Sequence, residues 1–567
     1  MSKKTKSARA VRESKRTRAR TMDLLALGGV NEIGKNIFCL ETPDELLVID
    51  CWMSFPSDQH LGVNYLIPDF SYLLEKRNKI VGIILTHGHE DHIGGLPFLP
   101  DEIDVPVYGT PMSVAYAEAK LGDHGTRDKL RFQRIEAGDE IKIGSDFKVE
   151  PFHVTHSMPD AVGYAIHTPA GLYVHSGDFK FDLTPVDNRT TDIAKLSQLG
   201  KQGVDFLTVD VTNVERPGFT PSERSVGRAI SRIFDAHLQK RIFIAMFASN
   251  IHRIQQIIDL AEKFDRVVAP IGRSMEQSVH LSIELGYLKV PKGILINSKT
   301  ISSYKDEEIV ILATGSQGEP MSALTLMSQG AHRVAMREGD VVVISANPIP
   351  GNESAIWRTI DSLCKLGADV IYRRGEVHVS GHGSREEIKM MCSMLNPTHV
   401  MPFHGEHRHV SSFRSLLDEI GLPDEAFVQP DLGRRISISG KKVKLGEKVK
   451  SGMRFVDGLF VEEEGTVLLD HRRKMSQGGL LVVNVIVDKK SKKFKDVSLA
   501  SQGFISAKNE AIFERAENMI RDSLRATRET DFVEYKNFKK KIEEKMERYL
   551  WRNTNRRPSI LTNIIEV

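Results

Sequence analysis

The densest chemistry in this 567-residue chain lies in LTHGHEDH, where His87, His89, Asp91 and His92 bring three imidazoles and a carboxylate into six residues. Nitrogen and oxygen donors at that density suit a divalent metal ion, and a solvated polar loop explains them poorly. The apolar run over residues 80–85 reads as a buried strand, and Gly88 permits a tight loop beyond it.

Further candidates recur where other expected strands end. His156 closes FKVEPFHVTH, Asp178 follows LYVHSG, and His404 follows HVMPF. These seven ligands can serve two ions: His87, His89 and His156 hold one, Asp91, His92 and His404 the other, and Asp178 bridges them. Zinc suits the imidazole-rich set, while the oxygen donors also permit manganese or magnesium. His153, His167, His175, His407 and His409 lie nearby and read as structural. Asp50, at the end of LLVID, either orients a ligand from behind or caps a loop; both readings stay open.

The elements that must position these residues follow from pattern. Residues 22–214 alternate short strands, Gly or Pro turns and helical stretches. Gly28, Gly29 and Gly34 of LALGGVNEIGKN are turn glycines, since the GxGxxG spacing of a dinucleotide site is absent. From 215 to 381 regular strand, turn and helix units indicate an inserted doubly wound α/β domain. ASNIHR, TGSQGEP, NPIPGNE and SGHGSREE place Ser, Asn or Gly between strand and helix, where free backbone N–H groups can hold an anion. Ordinary turn chemistry selects the same residues. Ser316, Gln317, His378, Ser380, His382 and Ser384 are the phosphate candidates. Ser384 and Glu387 form a capping box, so a helix should begin there with its positive end toward His382. Asp210, closing VDFLTVD, can set the His382 tautomer.

Residues 382–455 complete the first domain, 456–465 read as a linker, and 466–567 as a C-terminal α/β domain. That last part has strands around LLVVNVIV and helices over 509–525 and 531–551. Phe538, Ile542, Met546 and Leu550 form an apolar stripe that is either core or an oligomer contact.

The length calls for three or four cores. Net charge is only +3, so basic character is local: the first 20 residues carry nine Lys or Arg against Glu13. An arm over 1–21 is therefore expected to be disordered, serving as a solubilising tail or as a non-specific contact to nucleic-acid phosphates. Cys39, Cys51, Cys364 and Cys392 show no CxxC spacing, no apolar run reaches eighteen residues, and no secretory leader is evident. Together these favour a cytoplasmic protein without disulfides or a membrane span.

At this point the motifs resemble a known family. HGHEDH, His156, Asp178 and His404 follow the ordered ligands of the metallo-β-lactamase fold, and the insertion ahead of His404 resembles a β-CASP domain. GGVNEIGKN, LTHGHEDHIGGLP, THSMPDAVGY, SGDFKFD, NVERPGFTPSE, ATGSQGEP, HVSGHGSREE and PFHGEHRH are similar, in order and wording, to the bacterial ribonuclease J family over residues 22–465. DHRRKMSQGGLLVV resembles that family's small end domain. The resemblance implies an αββα sandwich with the β-CASP insertion and two-metal hydrolysis of single-stranded RNA. It implies 5′-to-3′ exonuclease activity favouring 5′-monophosphate ends, together with endonuclease activity, in rRNA processing and mRNA decay. It makes Asp210, His382 and His404 the three β-CASP motifs, with Asp91, Asp210 and His382 catalytic, and implies a homodimer or homotetramer with RNA-decay partners. Two departures remove no ligand: residues 210–212 read DVT where DST is expected, and Trp52 stands where Gly often follows the acidic turn. The rival readings are a small-molecule hydrolase and an RNA-binding scaffold with a decayed site. An insertion of about 165 residues is out of scale for a small substrate, and the full ligand set argues against decay.

Overall fold

The computed structural model describes residues 21–567 except 58, 350–351, 373–375, 459, 463–464, 492–493, 505–509 and 526–534. All but the last residue of the expected basic arm lies outside them. The chain forms two units, the first running to Ser54 and from Ile67 to Met453, the second comprising Phe55–Leu66 and Arg454–Val567. Among the described residues no helix is long and apolar enough to cross a membrane.

In the first unit short β-branched and aliphatic runs build two facing sheets. One has eight strands, in the order Lys442–Lys448, Arg434–Ser439, Met22–Ala26, Phe38–Glu41, Leu46–Ile49, Ile80–Ile84, Pro106–Gly109, Arg131–Arg134. The other has six, in the order His399–Phe403, Phe206–Asp210, Gly171–His175, Val162–Thr168, Phe147–His153, Ile141–Ile143. Leu24, Phe38, Leu47 and Ile84 of the first meet Val149, Tyr164, Phe206 and Met401 of the second in one core. Each such side chain contributes roughly 1.5–3 kcal/mol by leaving water. Alternate residues of the six-stranded sheet, Val174, Leu207 and Val209 among them, pack outward on helices Ile193–Gln202, Arg385–Leu395 and His407–Glu419. Helix Pro111–Asp123 covers the opposite sheet near Pro106–Gly109. The result is the expected αββα sandwich.

The insertion supplies a parallel five-stranded sheet, in the order Val267–Ile271, Ile309–Ala313, Ile242–Ala245, Val341–Ile344, Asp369–Ile371. Its strands are apolar on both faces because helices cover both. Ile242, Ile244, Val310 and Leu312 face one core, and Phe243, Ala245, Ile311 and Ala313 the other. Strand Phe206–Asp210 leaves the sandwich as the chain enters the insertion. Strand His399–Phe403 returns beside it in parallel register, with Asp210 opposite Phe403.

In the second unit, strands Phe494–Gln502, Leu480–Val487 and Ser559–Glu566 form a sheet covered by helices Glu510–Arg525 and Tyr535–Thr554. Ile542, Met546 and Leu550 are buried against it, so that part of the stripe is core and not an oligomer face; the Phe538 side chain lies outside the described set. The expected linker instead contains strands Met453–Asp457 and Phe460–Glu462, paired antiparallel. Apolar alternation on either side of Gly458, whose φ of 61° suits a turn, outweighs the polar look of that segment. Helix Gly465–Gly478 follows and was not expected from the sequence.

Candidate metal centre

Strand Ile80–Ile84 ends in the loop carrying His87 and His89, and the one-turn helix Glu90–Ile93 then presents Asp91 and His92. His156, Asp178 and His404 arrive after strands Phe147–His153, Gly171–His175 and His399–Phe403. The GGVNEIGKN turn closes over them: at Gly34, with φ of 75°, an added Cβ would stand 3.1 Å from Oδ2 of Asp91. Trp52 is fully buried beside Gly28, where a Cβ would meet its ring nitrogen at 2.8 Å, so this departure from the family pattern is a packing residue.

Ligand atoms of His87, His89 and His156 form one group, and those of Asp91, His92, Asp178 and His404 a second, each within 4.8 Å. Asp178 faces both, since its Oδ2 lies 3.3 Å from His92 Nε2 and 3.7 Å from both His87 Nε2 and His404 Nε2. All seven expected ligands are therefore brought together.

The neighbours of each imidazole decide which nitrogen is free. His156 Nδ1 is 2.9 Å from the Gly381 carbonyl, which only accepts, so Nδ1 carries the hydrogen and Nε2 a lone pair. The Asp50 carboxylate takes three bonds, from Thr86 N at 2.8 Å, Thr86 Oγ1 at 2.9 Å and His92 Nδ1 at 2.8 Å. Thr86 Oγ1, having spent its hydrogen there, accepts from His87 Nδ1 at 3.1 Å. Thr212 Oγ1 donates to Asp210 Oδ1 at 2.6 Å and so accepts from His404 Nδ1 at 2.7 Å. His87, His92, His156 and His404 thus all engage Nδ1 outward and turn Nε2 inward. Orienting partners of this kind are what metal-binding histidines require.

Electrostatics agree with a cation site. Burial holds His87 and His156 well below the ordinary histidine range and His89 down to about 4. Burial also opposes charge on His92 and His404, but Asp178 and Asp91 outweigh it, raising His92 well above the ordinary value and His404 to about 9. Asp178 is itself buried and Asp91 half-buried, yet the surrounding imidazoles keep both well below the carboxylate range. Asp178 Oδ1 is buried without a hydrogen-bond partner. Inward Nε2 atoms, two ionised carboxylates and an orphaned oxygen fit divalent metal binding.

His382 stands against both groups, its ring centroid 5.1 Å from that of His156 and 4.9 Å from that of His404. Its Nδ1 is 2.7 Å from Asp210 Oδ2. A carboxylate there fixes the hydrogen on Nδ1 and leaves Nε2 facing the ligand groups, the arrangement of an oriented acid.

Comparison with known proteins agrees with this geometry. Residues 46–216 match the beta-lactamase superfamily domain, 239–363 the ribonuclease J beta-CASP domain, 367–430 the Zn-dependent metallo-hydrolase RNA specificity domain, and 467–567 the ribonuclease J C-terminal domain. The chain is 38% identical to Ribonuclease J2 of Bacillus subtilis over 98% of its own length and all of the relative's. It is 39% identical to Ribonuclease J of Thermus thermophilus, covering 96% of this chain and 95% of that one. The chain belongs to the ribonuclease J family. With that family it falls among the metal-dependent ribonucleases. A crystal structure of a protein of unknown function from Enterococcus faecalis aligns with a TM-score of 0.52 at 16% identity, over 74% of this chain and all of that one, which shows the shared fold alone.

In this ribonuclease J family member the phosphate candidates divide. Gln317 is spent within the insertion, donating to the Asn347 carbonyl at 2.9 Å and accepting from Ile349 N at 2.8 Å. Ser384 pairs with Thr220 Oγ1 at 2.9 Å and caps helix Arg385–Leu395 as expected. Ser316 is buried at the end of strand Ile309–Ala313. Ser380 Oγ accepts from Asn213 Nδ2 at 2.8 Å and lies two residues from His382, with His378 two residues earlier. Among the other histidines, His153 bonds the Thr190 carbonyl and His409 accepts from Glu406 N, both structural tasks. Sequence reasoning missed Thr86 and Thr212, although each adjoins or nearly adjoins a ligand or dyad residue. It also missed Glu387 beyond its cap: this buried carboxylate accepts from Phe181 N, Thr220 N and Ser384 N at 2.6–2.7 Å.

Proposed function

We propose that this chain hydrolyses RNA phosphodiesters using two divalent ions, zinc foremost with manganese or magnesium as alternatives. It acts as a 5′-to-3′ exonuclease preferring 5′-monophosphate ends and also as an endonuclease, in rRNA maturation and mRNA decay. The observation that carries the reading is the meeting of two ligand groups at Asp178, with the Asp210–His382 pair against them. His87, His89 and His156 would hold one ion, Asp91, His92 and His404 the other, and Asp178 both. Ions bound there would supply an acidified water and offset the charge on the phosphodiester.

The remaining work belongs to side chains. Asp91, with a third of its side chain exposed, orients the attacking water. His382 gives its Nε2 proton to the departing O3′ while its Nδ1 keeps its hydrogen, donated to Asp210. Asp50 keeps His92 in its tautomer. His378 and Ser380 contact the 5′-terminal phosphate, and Ser316, Gln317 and Ser384 shape the surrounding turns. We assign residues 22–214 and 382–455 to the metallo-β-lactamase domain, 215–381 to the β-CASP domain and 466–567 to the C-terminal domain. Family membership further supports a homodimer or homotetramer, which light scattering tests.

The deciding experiment incubates 5′-monophosphate and 5′-triphosphate single-stranded RNA, labelled at either end, with the protein and zinc, manganese or magnesium. Mononucleotides released from the 5′ end, faster from monophosphate RNA, are expected. Release from the 3′ end alone, or full activity in His89→Ala with Asp91→Ala, overturns the reading.

A further inference from the structure

Outside the metal ligands, one buried cation gathers side chains from four segments. Arg253, near the start of helix Ile251–Lys263, is fully buried. Its Nε and Nη2 pair with the two oxygens of Glu223 at 2.8 and 3.0 Å. Its Nη1 donates to the Ser345 carbonyl at 2.6 Å and lies 2.9 Å from His378 Nδ1. Glu223 closes NVERPGFTPSE, Arg253 belongs to ASNIHR, Ser345 ends DVVVIS, and His378 begins HVSGHGS. Four motifs that the metal chemistry leaves unexplained therefore converge on one guanidinium.

The donors of Arg253 select the hydrogens at this contact. A guanidinium has only donors and stays charged, so His378 Nδ1 must offer a lone pair. Nε2 then carries the ring hydrogen. Charging the ring would set a second N–H against Arg253, and the other charged groups acting on it, Lys180 and Arg216, are also cations; only a hydrogen bond to the Ser345 backbone favours the charged ring, and burial with the three cations outweighs it. Glu223 cannot compensate, because its carboxylate is spent on Arg253. Burial and these cations hold His378 well below the ordinary histidine range.

We propose that Arg253 is a positioning residue that locks His378 as a neutral Nε2–H donor for the 5′-terminal phosphate of the RNA. The inference rests on the reading of His378 as a phosphate contact. A terminal phosphate presents several acceptor oxygens, so a donor held in one tautomer meets it without rearrangement, whereas a free imidazole must first select that state. A 5′-hydroxyl end offers less to such a donor, and the lock thereby favours phosphorylated ends.

Two measurements on the full chain test this. In metal-free protein labelled with ring-15N histidine, the His378 signal, assigned by its loss in His378→Ala, should show a protonated Nε2 and a bare Nδ1. A wild-type ring protonated at Nδ1 overturns the proposal whatever any variant does. Arg253→Lys retains the charge opposite Glu223 but not the planar fork. It should leave the His378 ring averaged between tautomers and reduce the preference for 5′-monophosphate over 5′-hydroxyl RNA by roughly ten-fold, the scale of one hydrogen bond to a charged group. The loss should fall on KM for monophosphate RNA more than on kcat. His378→Ala should lose the same preference, and the double variant no more. If His378→Ala loses the preference while Arg253→Lys keeps both tautomer and preference, Arg253 has no positioning role. If His378→Ala keeps the preference while the tautomer is locked, the phosphate reading itself has failed, and with it the proposal.

Discussion

Asp50→Asn is the sharpest test of the ligand geometry. Asp50 is completely buried and receives three donors, two from Thr86 and one from His92. An amide of the same shape has one oxygen and one NH2 group. If the oxygen stays opposite Thr86 N, the NH2 faces the Thr86 hydroxyl and His92 Nδ1–H; if the amide is flipped, NH2 faces Thr86 N–H. One donor is left opposing another in either case, or His92 shifts its hydrogen to Nε2 and forfeits its inward lone pair. An unsatisfied buried donor costs about 1–3 kcal/mol, which at 1.4 kcal/mol per decade is roughly a 10- to 100-fold loss of affinity. Backbone strain does not confuse the result, because Asp50 has φ of 61° and asparagine tolerates that region as well as aspartate. Zinc titrated against a chromophoric chelator should show the Asp91–His92–His404 group weakened by that factor. The His87–His89–His156 group should change less, since it feels Asp50 only through Thr86. Two affinities within two-fold of wild type, in a variant whose thermal melt is unchanged, would refute the tautomer argument.

Other outcomes follow from the same geometry. His382→Gln should lower single-turnover cleavage on the order of 10²- to 10⁴-fold, the usual contribution of a general acid, with little change in RNA affinity; Asp210→Asn should lose less, because it disorients the ring and leaves it present. Glu387→Ala strands three backbone N–H groups and should cost roughly 3 kcal/mol or more in urea unfolding, a value that Glu387→Gln should partly restore. Glu150 is held down to about 2 from its ordinary 4.5, since Lys148 and Lys195 outweigh its burial. Its folded-state pKa is depressed, so this stabilisation is complete above about 4.5 and drains away as pH falls toward about 2. Screened by solvent, it should amount to about 1–2 kcal/mol, and Glu150→Gln should flatten that acid limb of the stability curve.

How much of this was legible in the sequence depended on range. HGHEDH is readable because four donors within six residues have few other uses. His156, Asp178 and His404 were readable as strand-end residues, since the runs before them are apolar and a sheet delivers its ends to one edge. The groups that select their tautomers were not. Gly381 contributes a backbone carbonyl, which has no sequence signature, and Thr86 and Thr212 contribute hydroxyls of a kind found throughout the chain. Glu223, just ahead of helix Arg224–Ala236, and Arg253, in helix Ile251–Lys263, are thirty residues apart and share no periodicity. The helical stripe at Ile542, Met546 and Leu550 was ambiguous for a related reason: amphipathicity shows that a face is covered, and only the sheet Leu480–Val487 shows by what.

The register of two strands explains why so large an insertion does not dismantle the site. Closing a flexible loop costs about 0.6 kcal/mol for each doubling of its length, so what matters is where its ends are held. Here they are held by five paired positions, from Phe206 opposite His399 to Asp210 opposite Phe403. Those strands are fully buried on both faces except for His399, so the join is anchored by core packing as well as by the ladder. Asp210 then sits on the outgoing end and His404 just beyond the returning one, linked through the Thr212 hydroxyl. The returning chain also carries His382 to Asp210 and the Gly381 carbonyl to His156 before it rejoins the sheet. One strand pair therefore sets the acid, a metal-facing tautomer in each ligand group, and the loop nearest the proposed phosphate contact. A slip of that register would disturb all of them together.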